Sequence, residues 1–383
     1  MERPLAELRR VYVVGAGLHP YQRVSETPYL ALGVRAVREA LADAGITWNE
    51  IEAAYTGTAV MPMATSRLMY RHLGATGIPT VQVENASASG SSAFRQACLD
   101  VAAGHHDIVL ACGVDKPLNV TSPHSATGVT DLVGRLVFPA VHFALLANRF
   151  MHDHRIGPEQ LASVAVKNHA NGARNPNAQR QKERTLQEIV EADPVVSPFT
   201  RLQCCPVGEG AAAVVVASEE AIKRAGLDRS RAIAVLSSVA RSERDYGTEN
   251  PDAALTREVV SSALRDAGRE PRDLDVVELH DAFTIEELLY VEAMGLCDPG
   301  ESAAELQRGA FHIGGRVAVN PSGGLLAMGH PIGPTGVGQI CEIATQLRGE
   351  AGERQHGGAR VGLAHMVGVG AVCVAHVLAV DGA

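Results

Sequence analysis

Four stretches of the chain carry side chains whose types and spacing suit acid–base and acyl chemistry. The first is Glu84-Asn85-Ala86-Ser87-Ala88-Ser89-Gly90-Ser91-Ser92-Ala93. It follows a β-branched run, Thr80-Val81-Gln82-Val83, and leads into a helical pattern from Phe94 to Ala102. A strand that turns through small residues into a helix sets the Ser87 hydroxyl at the helix N-terminus. Free backbone N–H groups and the positive end of the helix dipole there favour a developing anion. The competing reading of the same run is a tight, buried packing corner. The other three stretches each present a histidine. Val276-Val277-Glu278-Leu279-His280-Asp281-Ala282-Phe283 reads as a strand whose end offers His280. Asn320-Pro321-Ser322-Gly323-Gly324 leads through Gly329-His330-Pro331-Ile332-Gly333-Pro334-Thr335-Gly336 into a helix from Val337 to Leu347. Val361 to Gly370 reads as a strand and glycine hairpin that carries His365. A lone histidine is more often structural than catalytic, but three at strand ends or glycine loops of one half shift that balance.

These loops need a scaffold, and composition bounds it. A chain of 383 residues, 46% hydrophobic, with 38 glycines and one Trp, is long enough for two or three domains and points to an α/β protein with many tight turns. The formal net charge of −9 argues against a nucleic-acid or anionic-membrane partner. Seven cysteines without regular spacing and without a CxxC pair read as reduced thiols, not as a disulfide framework or structural zinc site, and adjacent Cys204-Cys205 cannot both face one metal from a strand. The N-terminus lacks the apolar core of a signal peptide and no apolar run reaches about 18 residues, so the expectation is a soluble, cytoplasmic protein without a resident metal.

In order, Arg10 to Gly17 reads as a strand ending in a glycine turn. It is half of a dinucleotide fingerprint that lacks the third glycine and the acidic strand end. A helix follows from Tyr29 to Ala44, stopped by Gly45, then a strand from Ile51 to Gly57. The segment Ala40-Leu41-Ala42-Asp43-Ala44-Gly45 returns as Ala263-Leu264-Arg265-Asp266-Ala267-Gly268, and the acidic turn and strand that follow each copy also match. Such a repeat predicts two similar halves about a pseudo-twofold, 1–230 and 231–383, with ligand sites at the carboxyl ends of strands. Between about 117 and 201 lies a polar, His-rich insertion with two helical stretches, Phe143 to His154 and Pro158 to Asn171. Its Lys167, Arg174, Arg180, Lys182 and Arg184 are suited either to a phosphate-bearing ligand or to a solvated helix face.

Together the motifs resemble the thiolase superfamily. ENASASGSSAF matches its nucleophile loop, HDAF its strand-end motif, NPSGGLLAMGHPIGPTG its long C-terminal signature and GLAHMVGVGA its last active-site loop. QLASVAVKNHANGARNPNAQ and CCPVGEGAAAVVV look like its loop domain and return strand, so the resemblance covers nearly the whole chain. HDAF with GLAH points to the sterol-carrier-protein-linked and archaeal-type branch. The resemblance implies duplicated βαβαβαββ halves in a five-layered αβαβα core with an inserted loop domain. It also implies an acyltransferase of lipid metabolism that uses a coenzyme A thioester as substrate and holds no permanent cofactor. A homodimer or homotetramer is implied as well, and some relatives of this branch work with a separate zinc-ribbon/OB-fold protein.

The same resemblance assigns roles. His330 becomes the base for the nucleophile and His280 an oxyanion contributor. The Ser87 N–H and the loop from Met366 to Gly368 complete a second oxyanion site, with Asn320 and Gly329 in the supporting loops. Ser237 and Ser238, with the basic residues of the insertion, are the candidate coenzyme A contacts. The departure is at the nucleophile: the family carries Cys where this chain has Ser87, and the second cysteine is replaced by Ala282 and His365. A serine is a poor nucleophile without a placed base, and its oxygen ester is a worse acyl donor to a thiol than a thioester is. Three readings stay open. One is a native serine enzyme running acyl transfer or Claisen-type bond formation or cleavage. Another is an ordinary acetyl-CoA acyltransferase with an engineered Cys-to-Ser change, and the third is a homologue that binds acyl-CoA without turnover. A lyase acting on a β-hydroxyacyl-CoA through His280 and His365, with Tyr246 and Tyr290 as alternative acids, is a further alternative.

Overall fold

The computed structural model describes residues 4–117, 129–130, 136–247, 249–368 and 372–382. One ten-stranded sheet runs through it. Its strands are β1 (Val11–Gln22), β2 (Ala53–Gly57), β3 (Thr80–Val83), β4 (Ile108–Asp115), β5 (Glu209–Ser218), β6 (Ile233–Ser242), β7 (Val276–Glu278), β8 (Ala318–Val319), β9 (Val361–Gly368) and β10 (Val372–Val380). Seven helices matter to the site: α1 (Tyr29–Ala44), α2 (Ser89–Ala103), α3 (Pro139–His154), α4 (Pro158–Ala173), α5 (Pro251–Asp266), α6 (Thr284–Ala293) and α7 (Thr335–Leu347).

The strand order, β8-β7-β9-β10-β6-β1-β5-β4-β2-β3, contains one five-strand pattern twice. In the first half β2 pairs parallel with β3 and β4, β4 antiparallel with β5, and β5 antiparallel with β1. In the second, β7 pairs parallel with β8 and β9, β9 antiparallel with β10, and β10 antiparallel with β6. The halves join edge to edge where Tyr12 pairs with Ala234 and Val13 with Ile233. The repeated sequence falls at the ends of α1 and α5, equivalent helices in the two halves. Gly45 and Gly268 follow them at φ 72° and 64°, a left-handed closure that a residue without Cβ adopts at least cost.

Layering follows from where the apolar side chains go. β4 and β5 are buried along their whole length, as an apolar run covered on both faces requires. Phe94 and Val101 of α2 share one core with Ile340 and Ile343 of α7 and with Val214 and Ala364, strand residues from opposite halves. Helix α1 covers the outer face of the first half through Leu32, Val37 and Leu41. Helix α5 covers that of the second through Leu255, Val259 and Leu264. The result is an αβαβα stack with α2 and α7 as its middle layer.

Three expectations change. β1 does not turn at its glycines but continues to Gln22. A Cβ at Gly15 or Gly17 would sit 2.3 Å from Ala40 O or Ala36 O, so these glycines let α1 lie close on the strand. Helix α3 starts at Pro139, four residues before Phe143, because proline suits a first helical turn. Lys167 of α4 is neither solvated nor a ligand contact. It is 2% exposed, and its Nζ donates to Val319 O at 2.6 Å and pairs with Glu287 Oε1 at 3.1 Å. Likewise Arg180 donates to Cys204 O and Leu326 O, while Lys182 and Arg184 reach Glu188 and Arg174 is exposed. Helix α4 presses into the second half, so its Lys167 meets a buried carbonyl and a carboxylate. Residues 118–128 and 131–135 of the expected insertion, and 369–371 of the last loop, lie outside the described residues.

Candidate active site

The Ser87 loop makes its sharp turn at Ala86, whose φ of 48° is in the left-handed region. Local hydrogen bonds hold that strain. Ala86 N–H donates to Glu84 Oε1 at 2.7 Å, and Ser89 Oγ accepts from Asn85 N–H at 2.8 Å while donating to Ala86 O at 2.6 Å. The turn delivers Ser87 just before α2, 5% exposed. Of the five non-glycine residues with positive φ among the described residues, Ala86, Asn320 and Ile332 all flank candidate site residues. Such strain persists where surrounding structure over-determines it, and it concentrates at functional sites.

Ser87 meets a histidine from the other half. Its Oγ lies 3.0 Å from His330 Nε2, across 243 residues of sequence. His330 Nδ1 lies 2.9 Å from Thr335 Oγ1 at the start of α7. In the tautomer that donates Nδ1–H to Thr335, Nε2 carries a lone pair toward the Ser87 hydroxyl, an arrangement that can pass a hydroxyl proton to the ring. Burial holds His330 well below the ordinary histidine range, and the neighbouring His280 adds to the effect, so the ring is neutral. Gly329, at φ 112°, provides the chain reversal just before His330.

Small residues let the two loops touch. A Cβ at Gly90 would lie 2.4 Å from Gly333 O, one at Gly113 2.4 Å from Pro334 Cα, and one at Gly368 2.5 Å from Asn85 O. Met366 to Gly368 belong to β9 and pair with Val374 to Val372 of β10, not with a free loop. Asp115, fully buried at the end of β4, fixes the His330 loop from the first half: its Oδ2 accepts Gly333 N–H at 2.6 Å.

His280 follows β7, 1% exposed, its ring edge-on to that of His330 with centroids 5.4 Å apart. Its Nδ1 is 2.6 Å from Glu286 Oε1 on α6. The same carboxylate accepts Phe283 N–H at 2.9 Å and Tyr290 O–H at 3.2 Å, so it is an acceptor throughout and Nδ1 carries the proton. His280 Nε2 is buried and has no hydrogen-bond partner among the described residues. His365, within β9, places Nε2 3.1 Å from Thr256 Oγ1 and leaves Nδ1 unpartnered, and burial pushes it down to about 3.

The remaining expected residues have other surroundings. Asn320 accepts Leu279 N–H on Oδ1 at 2.9 Å and donates to Glu287 Oε2 at 3.1 Å, so its amide braces the β7 end instead of facing Ser87. Ser237 donates to Ala263 O at 2.7 Å, and Ser238 Oγ lies 3.0 Å from His376 Nδ1. No hydrogen bond joins either serine to Ser87, His280, His330 or His365 among the described residues. Tyr246 Oη reaches Glu258 and Tyr290 is wholly buried. Sequence reasoning passed over Glu286, Thr335 and Asp115. Glu286, three residues after Phe283 at a helix start, had a capping-box position as its signal. Thr335 lies only five residues after His330, in the same glycine-rich stretch, and that proximity was its signal. Asp115 had none, because its partner Gly333 is 218 residues away.

Comparison with known proteins agrees with this architecture. The family model described as "Thiolase, N-terminal domain" matches residues 11–220 and "Thiolase C-terminal domain-like" matches 241–380. "Sterol carrier protein 2" of Gallus gallus is 36% identical over 96% of this chain and 71% of its own length. "Acetyl-CoA acetyltransferase" of Methanothermobacter thermautotrophicus is 34% identical over 97% of this chain and 99% of its own. Among solved structures, the "Ltp2-ChsH2(DUF35) aldolase" superposes with a TM-score of 0.85 at 26% identity, covering 97% of this chain and 98% of that one. With both of its halves matched, this chain belongs to the thiolase family.

Proposed function

We propose that this thiolase-type enzyme is a coenzyme A thioester-dependent acyltransferase in which Ser87 accepts the acyl group and His330 takes its proton. The observation that carries the reading is the 3.0 Å, half-buried contact between Ser87 Oγ and His330 Nε2, with Nδ1 in contact with Thr335. Ser87 Oγ attacks the thioester carbonyl carbon as its proton passes to His330 Nε2. The C–S bond then breaks, and the leaving thiolate takes that proton back. Charge on the carbonyl oxygen develops beside the N-terminus of α2, where backbone N–H groups point outward. Each half, 1–230 and 231–383, supplies one member of the pair. Incubation with acetyl-CoA followed by peptide mass spectrometry should place an acetyl group on Ser87, and Ser87→Ala should lose turnover. No adduct on that peptide, together with undiminished turnover in Ser87→Ala, refutes the covalent mechanism.

A second reading is favoured by the 26% identical aldolase structure, which covers nearly the whole chain. In it the site cleaves a β-hydroxyacyl-CoA with acid–base groups alone, working with a separate zinc-ribbon/OB-fold protein. Release of an aldehyde or ketone from a β-hydroxyacyl-CoA by Ser87→Ala would favour this reading over acyl transfer.

A further inference from the structure

We propose that His280, oriented by Glu286, is the second base of the site and removes the α-carbon proton of the acyl-CoA. The proposal rests on the acyl-CoA reading above and gives its site a second chemical step. Claisen-type chemistry needs a base for a carbon acid as well as one for the nucleophile. Neither cysteine of the family pattern is available for it here, since Ala282 stands after Asp281 and His365 lies in β9.

The geometry singles out His280. With Nδ1–H committed to Glu286 at 2.6 Å, the neutral form of the ring carries its lone pair on Nε2. That atom is buried and unpartnered, on a ring that stands perpendicular to the His330 ring that Ser87 touches, with centroids 5.4 Å apart. A nitrogen in this tautomer can accept a proton but has none to donate, which fits a base and not an oxyanion donor. A buried acceptor without a partner is costly unless a ligand supplies one. His365 also has an unpartnered nitrogen, but its protonated form meets no carboxylate: Nε2 faces only the Thr256 hydroxyl, and burial lowers it to about 3. For His280 the Glu286 carboxylate lies against the opposite edge of the ring, where it stabilises the imidazolium that proton transfer creates. In the step, Nε2 takes the α-hydrogen as a proton, the C–H electron pair moves into a carbon–carbon double bond, and the carbonyl oxygen becomes an enolate. The proton returns by the reverse path or passes to the departing product.

Glu286 is the positioning residue, and its hydrogen bonds predict what an amide would do. The backbone N–H of Phe283 points at Oε2. In Glu286→Gln the remaining oxygen is drawn to that N–H, the amide NH2 turns to His280 Nδ1, and the ring flips to the tautomer with hydrogen on Nε2. The base is lost while the shape is kept.

The experiment is exchange of the methyl hydrogens of acetyl-CoA with deuterium oxide, followed by mass spectrometry, beside acetylation of Ser87 from the same thioester. We expect wild type to exchange, and Glu286→Gln to lose exchange by about 10²- to 10⁴-fold while it still acetylates Ser87 and melts cooperatively. Restoration of exchange by Glu286→Asp supports the positioning role. Ser87→Ala should still exchange, which separates failure of the acylation reading from failure of this one. If Glu286→Gln does not fold, His280→Asn reads the same step. Absence of exchange in wild type, exchange within threefold of wild type in the His280 and Glu286 variants, or loss confined to His365→Asn would each overturn the proposal.

Discussion

Asp115 ties the His330 loop to the first half, and graded substitution tests whether that contact positions the Ser87–His330 pair. Its carboxylate accepts four donors: Thr58 Oγ at 2.6 Å and Val60 N–H at 3.1 Å on Oδ1, and Ala59 N–H at 2.9 Å and Gly333 N–H at 2.6 Å on Oδ2. In Asp115→Asn the surviving oxygen can stay with Ala59 and Gly333, and the new NH2 can donate to the rotatable Thr58 hydroxyl. Only Val60 N–H is then orphaned, at about 1–3 kcal/mol for one buried donor. In Asp115→Ala all four donors lose their acceptor, and the same figure per group gives at least about 4 kcal/mol, a large part of the roughly 5–15 kcal/mol that holds a folded protein together. Gly333 lies three residues from His330, so its release should loosen that side chain. A displacement of about 1 Å at a catalytic group costs on the order of 10²-fold in rate. Urea unfolding followed by the fluorescence of Trp48, which is buried in the first half, measures stability, and acetyl transfer from acetyl-CoA measures activity. If Asp115→Ala unfolds within about 1 kcal/mol of wild type and keeps full activity, the tether is not what positions His330.

Other expectations follow from the same geometry. Gly90→Ala should lower activity at least about tenfold with little loss of α2 helicity by circular dichroism, because its Cβ would meet Gly333 O at 2.4 Å and push the two loops apart. Lys167→Ala should destabilise by about 3–5 kcal/mol in chemical denaturation, since it leaves Glu287 buried without its cation. Burial lowers His169 to about 4 and His365 and His376 to about 3, so each binds a proton more readily unfolded than folded. Their contribution is complete above pH about 6.5 and is lost as pH falls. It amounts to on the order of 2 kcal/mol per histidine by pH 5, visible as falling urea midpoints between pH 7 and 5.

Much of this was legible in the chain because it is written in local chemistry. Helix α1 was bounded by its apolar period and by Gly45, and the second copy of its ending announced the duplication before any strand pairing was known. Ser87, His280 and His330 stood out because each sits where an element ends, whereas His365, read the same way, lies inside β9. What stayed hidden depends on contacts across long separations. Lys167 looks like a surface cation until α4 is laid against Glu287. Asp115 is one more strand-end carboxylate until Gly333 arrives 218 residues later. The protonation pattern of His280 is decided by Glu286, Phe283 and Tyr290 acting on one carboxylate, and no periodicity encodes that. Gly15 and Gly17 misled in the opposite direction, since a glycine needed for close helix packing reads locally like one needed for a turn.

The equivalence of α2 and α7 has a consequence for how such a site could arise. Both follow the third strand of their half and precede the fourth, so the loops that bear Ser87 and His330 occupy corresponding places in the two copies. In an assembly of two identical chains any residue placed in that loop appears twice, and like would face like across the axis. Joining the copies in one chain removes that constraint, because each loop can then change without its counterpart. The Ser87–His330 pair is in this sense a record of broken symmetry: a division of labour between twins that only a fused gene can inherit as a unit.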